Sequence, residues 1–316
     1  MNAHKMLWVE KYRPKTIDDV VLPESIKTSI KNDIASGNIP HYFFYGSSGI
    51  GKTTLAYAIA NEINADVLFI NGSLENGIDI LRDKISQFAS TVSMTGDKKI
   101  VLIDEADNLR ADSFQPGMRA FMEQFSDNVR FILTANYKNK IIPAIQSRCT
   151  PVQFKIAKTD KASLSKQMYT NCTNILKAEG VTYDNKTIAK LVQTNFPDFR
   201  QVLMSLQTLS AAGHIDDSMI ISNGISDLDS LVDILRDKKF NDMREWVSEN
   251  IAYSETDVVV LLDKLYDAMD EKVMNESMPS LILILADYSY KSAFVVNQQI
   301  NMAAMFTEIM STVEWK

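Results

Sequence analysis

Cysteine is almost missing from this sequence. Its 316 residues contain two, Cys149 and Cys172. So few exclude a disulfide framework, and their wide separation excludes a zinc site of paired thiols. A reducing, cytosolic setting is expected. Long apolar runs are missing as well. A membrane span needs about 20 such residues, and the best stretch, Leu281 to Ala286, falls far short of that. The first residues carry Lys5 and Lys11 without a long apolar core, which is not the pattern of a signal peptide. Positive charge is in deficit: 33 Lys and Arg against 40 Asp and Glu give a net charge of −7. That excludes a broad surface coating nucleic acid. One local basic patch, or a channel assembled from several subunits, stays open. Repeats and low-complexity tracts are absent too.

What is present is an ordinary globular composition, 46% hydrophobic and 23% charged, long enough for two or three domains. The most specific stretch is Gly46-Ser47-Ser48-Gly49-Ile50-Gly51-Lys52-Thr53, followed by Thr54. It fits G-x-x-x-x-G-K-[ST]. The apolar run Tyr42 to Tyr45 precedes it as a buried strand would, and a helical pattern follows from Leu55 to Ile63. A strand, a glycine-rich turn and a helix start make a phosphate cradle, because backbone N–H groups converge there without a Cβ in the way. Lys52 is expected to reach the β- and γ-phosphates of a nucleoside triphosphate and Thr53 to hold Mg2+.

Ile100-Val101-Leu102-Ile103 is a second buried strand, and it ends in Asp104-Glu105. The carboxyl ends of such strands are where open α/β sheets bind ligands. Asp104 is expected in the Mg2+ shell and Glu105 to orient or deprotonate an attacking water. Asp107 reads as a helix-start or surface acid. A further strand, Val129 to Leu133, runs on into Thr134-Ala135-Asn136, which brings an amide to the same edge. Strands at Val67–Ile70 and Val152–Phe154 complete five, with helices at Glu24–Gly37, Ile78–Ala89, Ser113–Gln124 and Ile141–Arg148 between them. Met1 to Val21 reads as extended. Trp8 and Tyr12 there either cover a flat base or pin the segment to the core. From Asp160 the alternation stops. Helices are expected at 164–179, 185–194 and 199–211, then at 228–236, 240–250, 256–270, 279–288 and 297–313. The methionines Met302, Met305 and Met310 suit either a core or a subunit interface.

Together, Glu10-Lys11-Tyr12-Arg13-Pro14, Gly46 to Thr53, Ile103-Asp104-Glu105, Asn136, Ser147-Arg148-Cys149 and Pro197-Asp198-Phe199-Arg200 resemble the AAA+ ATPases of sliding-clamp loaders. They are similar to the small subunits of replication factor C, and most nearly to the ATPase subunit of T-even-like bacteriophage loaders. The resemblance implies an α/β fold: a P-loop NTPase with a five-stranded parallel sheet (1–156), a helical lid (157–222) and an all-α collar (223–316). It implies that Tyr12, Arg13 and Arg200 touch ATP, that Asn136 positions the water or γ-phosphate, and that Arg148 is an arginine finger acting on a neighbour's ATP. It implies DNA contact where a helix begins near Gly77 and Ile78, with Arg82 and then Lys84 as cations. Gln115 would couple neighbouring subunits. Phe88 and Phe121 to Phe125 are candidates for clamp contact. Copies of itself and a non-identical subunit in a ring-like pentamer, a sliding clamp and primer–template DNA are the implied partners, with no membrane. The location is then cytoplasmic, in a host cell if the chain is viral. Other AAA+ machines, a helicase loader or a branch-migration motor, are the alternative. A scaffold subunit that has lost the chemistry is a third reading, which the presence of Lys52, Thr53, Asp104 and Glu105 disfavours.

Overall fold

Continuous apolar strands need cover on both faces, and the three central strands of the five-stranded sheet receive it. The computed structural model describes residues 7–74, 78–91, 98–216, 228–251, 258–270 and 272–316. The chain divides into two units, Met1–Asp217 and Ser218–Lys316. In the first, β1 (Tyr42–Gly46), β2 (Asp66–Asn71), β3 (Lys99–Asp104), β4 (Val129–Ala135) and β5 (Thr150–Phe154) form one parallel sheet in the order β2-β3-β4-β1-β5. Successive residues of a strand face opposite sides. Phe43, Val101, Ile103, Phe131 and Leu133 pack on α4 (Ile78–Ser90) and α5 (Phe114–Gln124) through Ile85, Met118 and Phe121. Tyr42, Phe44, Ile100, Leu102 and Ile132 pack the other way, on Ile30 of α2 (Glu24–Ala35) and Leu55 and Ile59 of α3 (Lys52–Glu62). The sequence shows no alternation because both faces are core.

The first residues depart from the extended reading. Trp8–Lys11 form one helical turn, α1, and Pro14 follows its end. Pro116 sits in the first turn of α5, where the N–H it lacks has no helical partner to lose. A four-residue helix, α6 (Pro143–Gln146), leads into Ser147-Arg148-Cys149. Beyond β5, α7 (Lys158–Glu179) is longer than its apolar period suggests, and Gly180 closes it at φ +70°. The helices α8 (Asn185–Asn195) and α9 (Phe199–Ser210) each start on an aspartate cap: Asp184 accepts from the Thr187 N–H and Asp198 from the Gln201 N–H. Two short parallel strands, β6 (Thr182–Tyr183) and β7 (His214–Ile215), tie this helical part together and escaped the sequence reading.

The second unit is helical. It holds α10 (Leu228–Arg236), α11 (Phe240–Ile251), α12 (Val258–Asp270), α13 (Met278–Ser292) and α14 (Gln298–Thr312). Residues 252–257, which include the expected start of α12, lie outside the described residues. Met302, Met305 and Met310 are buried with Phe306, Trp246 and Leu265 in this unit's own core, so core packing accounts for them. Among the described residues no helix is long and apolar enough to cross a membrane.

Candidate nucleotide site

The phosphate loop follows β1, and its shape depends on a glycine. Gly46 has φ +148°, and a Cβ there would lie 2.5 Å from the Phe154 carbonyl of β5. Only a residue without a side chain lets the loop leave the sheet at that point. Lys52 opens α3 and is buried, 8% exposed. Its Nζ donates to the Gly46 carbonyl (2.8 Å), the Ser47 carbonyl (2.6 Å) and Asn136 Oδ1 (2.9 Å). Burial pushes the Lys52 ammonium down to about 8, with Arg200 acting the same way while Asp104, Asp107 and Asp198 oppose it. The amide predicted at the end of β4 therefore meets the predicted lysine directly. The Ile50 side chain is buried in the core on the α2–α3 side of the sheet, which leaves only its backbone to a ligand.

The acidic edge is just as connected. Asp104 Oδ1 accepts hydrogen bonds from the Thr53 hydroxyl and the Thr134 hydroxyl, both at 2.6 Å. Thr134 Oγ1 also accepts from the Glu105 N–H at 3.1 Å. Thr134 was not singled out from sequence; a hydroxyl following the apolar run Phe131–Leu133 was the available signal. Glu105 stands at φ +53°. Its carboxylate accepts from the Ser73 hydroxyl and from Asn108 Nδ2 (3.3 Å). Asp107 corrects the expectation of a surface acid. It is buried, and its Oδ2 accepts from the backbone N–H groups of Asn136 (3.1 Å) and Tyr137 (3.3 Å). It lies on a single 3-10 turn, Ala106–Asn108, so the helix-start half of that reading stands.

Lys52, Thr53, Asp104, Glu105, Thr134 and Asn136 line a cavity of about 910 Å³, together with Tyr12, Arg13, Ser48, Gly49, Thr54 and Arg200. Tyr12 presents its ring while its hydroxyl donates to Glu179 Oε1 (2.5 Å), and Arg13 lies over the Tyr57 ring. Trp8 is buried and does not line the cavity; its backbone N–H donates to Gln207 Oε1 of α9 (2.9 Å). Of the two aromatics, Trp8 pins the segment and Tyr12 faces the cavity. A loop that presents lysine and backbone N–H groups beside paired hydroxyl and carboxylate oxygens suits a nucleoside triphosphate.

Comparison with known proteins agrees. Residues 42–156 match the family of ATPases associated with various cellular activities (AAA). Residues 160–222 match the AAA+ ATPase lid domain of the sliding-clamp-loader large subunit. The chain is 32% identical to the sliding-clamp-loader large subunit of Enterobacteria phage T4, across 100% of this chain and 99% of that protein. The chain belongs to the clamp-loader AAA+ ATPases. The corresponding subunit of Escherichia phage RB69 is also 32% identical, over 100% of this chain and 99% of its own length. The replication factor C small subunit of Staphylothermus marinus is 34% identical, over 92% of this chain and 89% of its own.

In this clamp-loader ATPase the remaining predicted residues stand apart from the cavity. Arg148 does not line it. Its Nε donates to Glu123 Oε1 (2.9 Å), its Nη2 reaches the same oxygen, and its Nη1 donates to the Ala144 carbonyl (2.6 Å). Gln115 is fully buried, which rules out direct contact with another subunit. It donates to the carbonyls of Leu109 (3.1 Å) and Lys140 (3.0 Å) and accepts from the Ile142 N–H (2.8 Å). Phe121 is likewise in the core, whereas Phe88 and Phe125 are only partly buried. Ile78 begins α4, and Arg82 and Lys84 are exposed on it; Gly77 lies outside the described residues. Burial pushes the thiols of Cys149 and Cys172 up to about 12, so neither is a reactive thiolate.

Proposed function

We propose that the chain hydrolyses ATP at this cavity to drive the opening and loading of a sliding clamp, and that its site is completed by a neighbouring subunit. The observation that carries this is the position of Arg148. The strands are parallel, with Thr150 opposite Tyr42 and Phe154 opposite Gly46. Arg148 therefore precedes the amino end of β5, roughly 13 Å below the level of the phosphate loop at about 3.3 Å per residue. That is farther than an arginine side chain reaches, which supports the reading that its cation serves another chain's site.

In the mechanism, Gly46 to Thr54 cradle the phosphates, Lys52 neutralises the outer ones, and Tyr12 and Arg13 face the base and sugar. Asn136 and Glu105 position the water. Its oxygen bonds to the γ-phosphorus as the bond to the bridging β–γ oxygen breaks, and its proton passes to the Glu105 carboxylate and on to the released phosphate. Arg148 of the next subunit and Arg200 of the same chain meet the developing charge. Thr53 and Asp104 are hard oxygen donors suited to Mg2+, which would neutralise phosphate charge there. Residues 157–222 serve as the lid and 223–316 as the collar. Exposed Leu283, Tyr290, Phe294 and Ile300 support assembly through the collar. The partners are further copies and a non-identical subunit in a five-membered ring, a clamp, and primer–template DNA met at Gly77, Ile78 and Arg82. The setting is the cytoplasm, a host's if the chain is viral.

The test is hydrolysis by the assembled loader with clamp and primed DNA. Arg148→Ala should lower the stimulated rate at least about 100-fold while ATP binding to the isolated chain is unchanged. A stimulated rate equal to the parent's would refute the finger. Glu105→Gln should bind ATP and hardly turn over.

A further inference from the structure

The apex of the phosphate loop touches the lid helix α9 directly. The Gly49 carbonyl accepts a hydrogen bond from the Phe199 N–H at 3.1 Å. Gly49 has φ +74°, and a Cβ built there would lie 1.9 Å from Asp198 Oδ1 and 2.3 Å from its carboxyl carbon. The Asp198 side chain thus lies flat on the bare Cα of the loop. The same Oδ1 accepts from the Gln201 N–H at 2.9 Å, which caps α9. One carboxylate fixes both where the helix starts and what it starts on. Asp198 is near enough to the phosphate site to favour the Lys52 ammonium. Arg200 lines the cavity two residues farther along the same first turn, about 3 Å along the helix axis at 1.5 Å per residue.

We propose that the contact of Gly49 with Asp198 and Phe199 is the joint through which an occupied phosphate loop sets the lid, making Asp198 a positioning residue for Arg200. Phosphate binding draws the loop N–H groups inward and fixes the Gly49 peptide. The Gly49 carbonyl holds Phe199, and the capped first turn of α9 moves as one piece with it. The lid then follows the loop through backbone contact, before any contact from Arg200. This rests on the loop's binding ATP, and the test reads that separately.

The experiment is hydrogen–deuterium exchange of the full chain with and without a non-hydrolysable ATP analogue. Protection of segment 46–54 reports nucleotide in the loop, and protection of segment 196–203 reports the seated lid. In the parent both slow, the second by about fivefold for one added hydrogen bond's protection. Asp198→Asn keeps the cap and the shape and should behave as the parent. Asp198→Ser keeps a cap but withdraws from Gly49. It should protect 46–54 and leave 196–203 nearly unprotected. Gly49→Ala, which crowds the contact from the other side, should also lose protection at 196–203. Arg200→Ala should retain the protection at 196–203. In steady-state hydrolysis by the assembled loader, Asp198→Ser combined with Arg200→Ala should be no slower than Arg200→Ala alone. The joint is refuted if 196–203 is unprotected in the parent, if Asp198→Ser keeps the parent's protection there, or if Arg200→Ala alone abolishes it. Loss of protection at 46–54 in the parent would instead overturn the nucleotide reading, and the joint with it.

Discussion

Asp107→Asn isolates the one contact that fixes the backbone beneath Asn136. The aspartate gives a single oxygen to two N–H groups, those of Asn136 and Tyr137, while its Oδ1 is buried without a partner among the described residues. The amide has the same shape, so the carbonyl still meets both N–H groups, but it carries no charge. A hydrogen bond to a charged group is worth about 1.5–3 kcal/mol and a neutral one about 0.5–1.5. The loss is therefore about 1 kcal/mol per bond, or about 2 for the pair. The amide NH2 also takes the place of the unpartnered oxygen and relieves the burial of its charge, which offsets part of that loss. A change of about 1–2 kcal/mol alters the population of the correct arrangement by roughly 5–30-fold. Stimulated kcat should fall by that factor. KM for ATP should change less than kcat, because Lys52 keeps its two carbonyl partners in the loop. The assay is phosphate release by the assembled loader with clamp and primed DNA. Asp107→Asn added to Asn136→Ala should slow the enzyme no further. Parent-like kcat, or losses that multiply in the double variant, would refute this role for Asp107.

Two further expectations concern Lys52 and Gln115. With its folded-state ammonium lowered from 10.5 to about 8, Lys52 is neutral in the folded and charged in the unfolded chain between those values. The unfolded state then binds more protons, so this residue's contribution to stability rises with pH across that window. ATP needs the charged form, so binding takes up a proton above pH 8 and affinity should weaken about tenfold per pH unit there. Fluorescent-nucleotide titrations from pH 7 to 9 measure this; a flat dissociation constant would contradict it. Gln115→Ala removes the partner of two carbonyls and one N–H in the interior. It should destabilise the protein by about 3 kcal/mol or more, since three groups are orphaned at about 1–3 each. A shifted urea midpoint at unchanged slope would show it.

The sheet, the loop and the three polar strand ends were legible because each has a local signature. Apolar runs bounded by polar residues mark strands, and G-x-x-x-x-G-K-T marks its loop whatever surrounds it. What stayed hidden was long-range pairing. Asp107 and Gln115 look like surface residues from their neighbours in the chain. Their partners, Asn136 and Ile142, lie 29 and 27 residues away. No periodicity encodes such a contact. Thr134 was passed over for the same reason, since its hydroxyl matters only because Asp104 stands on the adjacent strand. The one-turn helix at Trp8 was missed because four residues are too few to show a period. The lone pair of lid strands was missed because two-residue strands show no alternation.

The parallel register has a consequence for assembly. Asp104, Glu105 and Asn136 follow the carboxyl ends of β3 and β4, beside the loop that follows β1. Arg148 precedes the amino end of β5, at the opposite edge. Shortening its tether would not bring it to the loop, because the intervening β5 is paired along its whole length with β1. On the role proposed for Arg148, one chain offers an acceptor edge and a donor edge that do not meet within it. The proposed role then calls for two such chains to meet head to tail, one edge against the unlike edge of the next. Repeating that contact gives either a closed ring or an open helix. A run of identical subunits also leaves one donor and one acceptor edge unmatched at its ends. The non-identical subunit proposed above would fit there, because it can close the run without supplying a complete site of its own. The grip of Glu123 on Arg148 bears on the donor edge. It fixes the guanidinium before a neighbour arrives, so less side-chain freedom is lost when the interface forms.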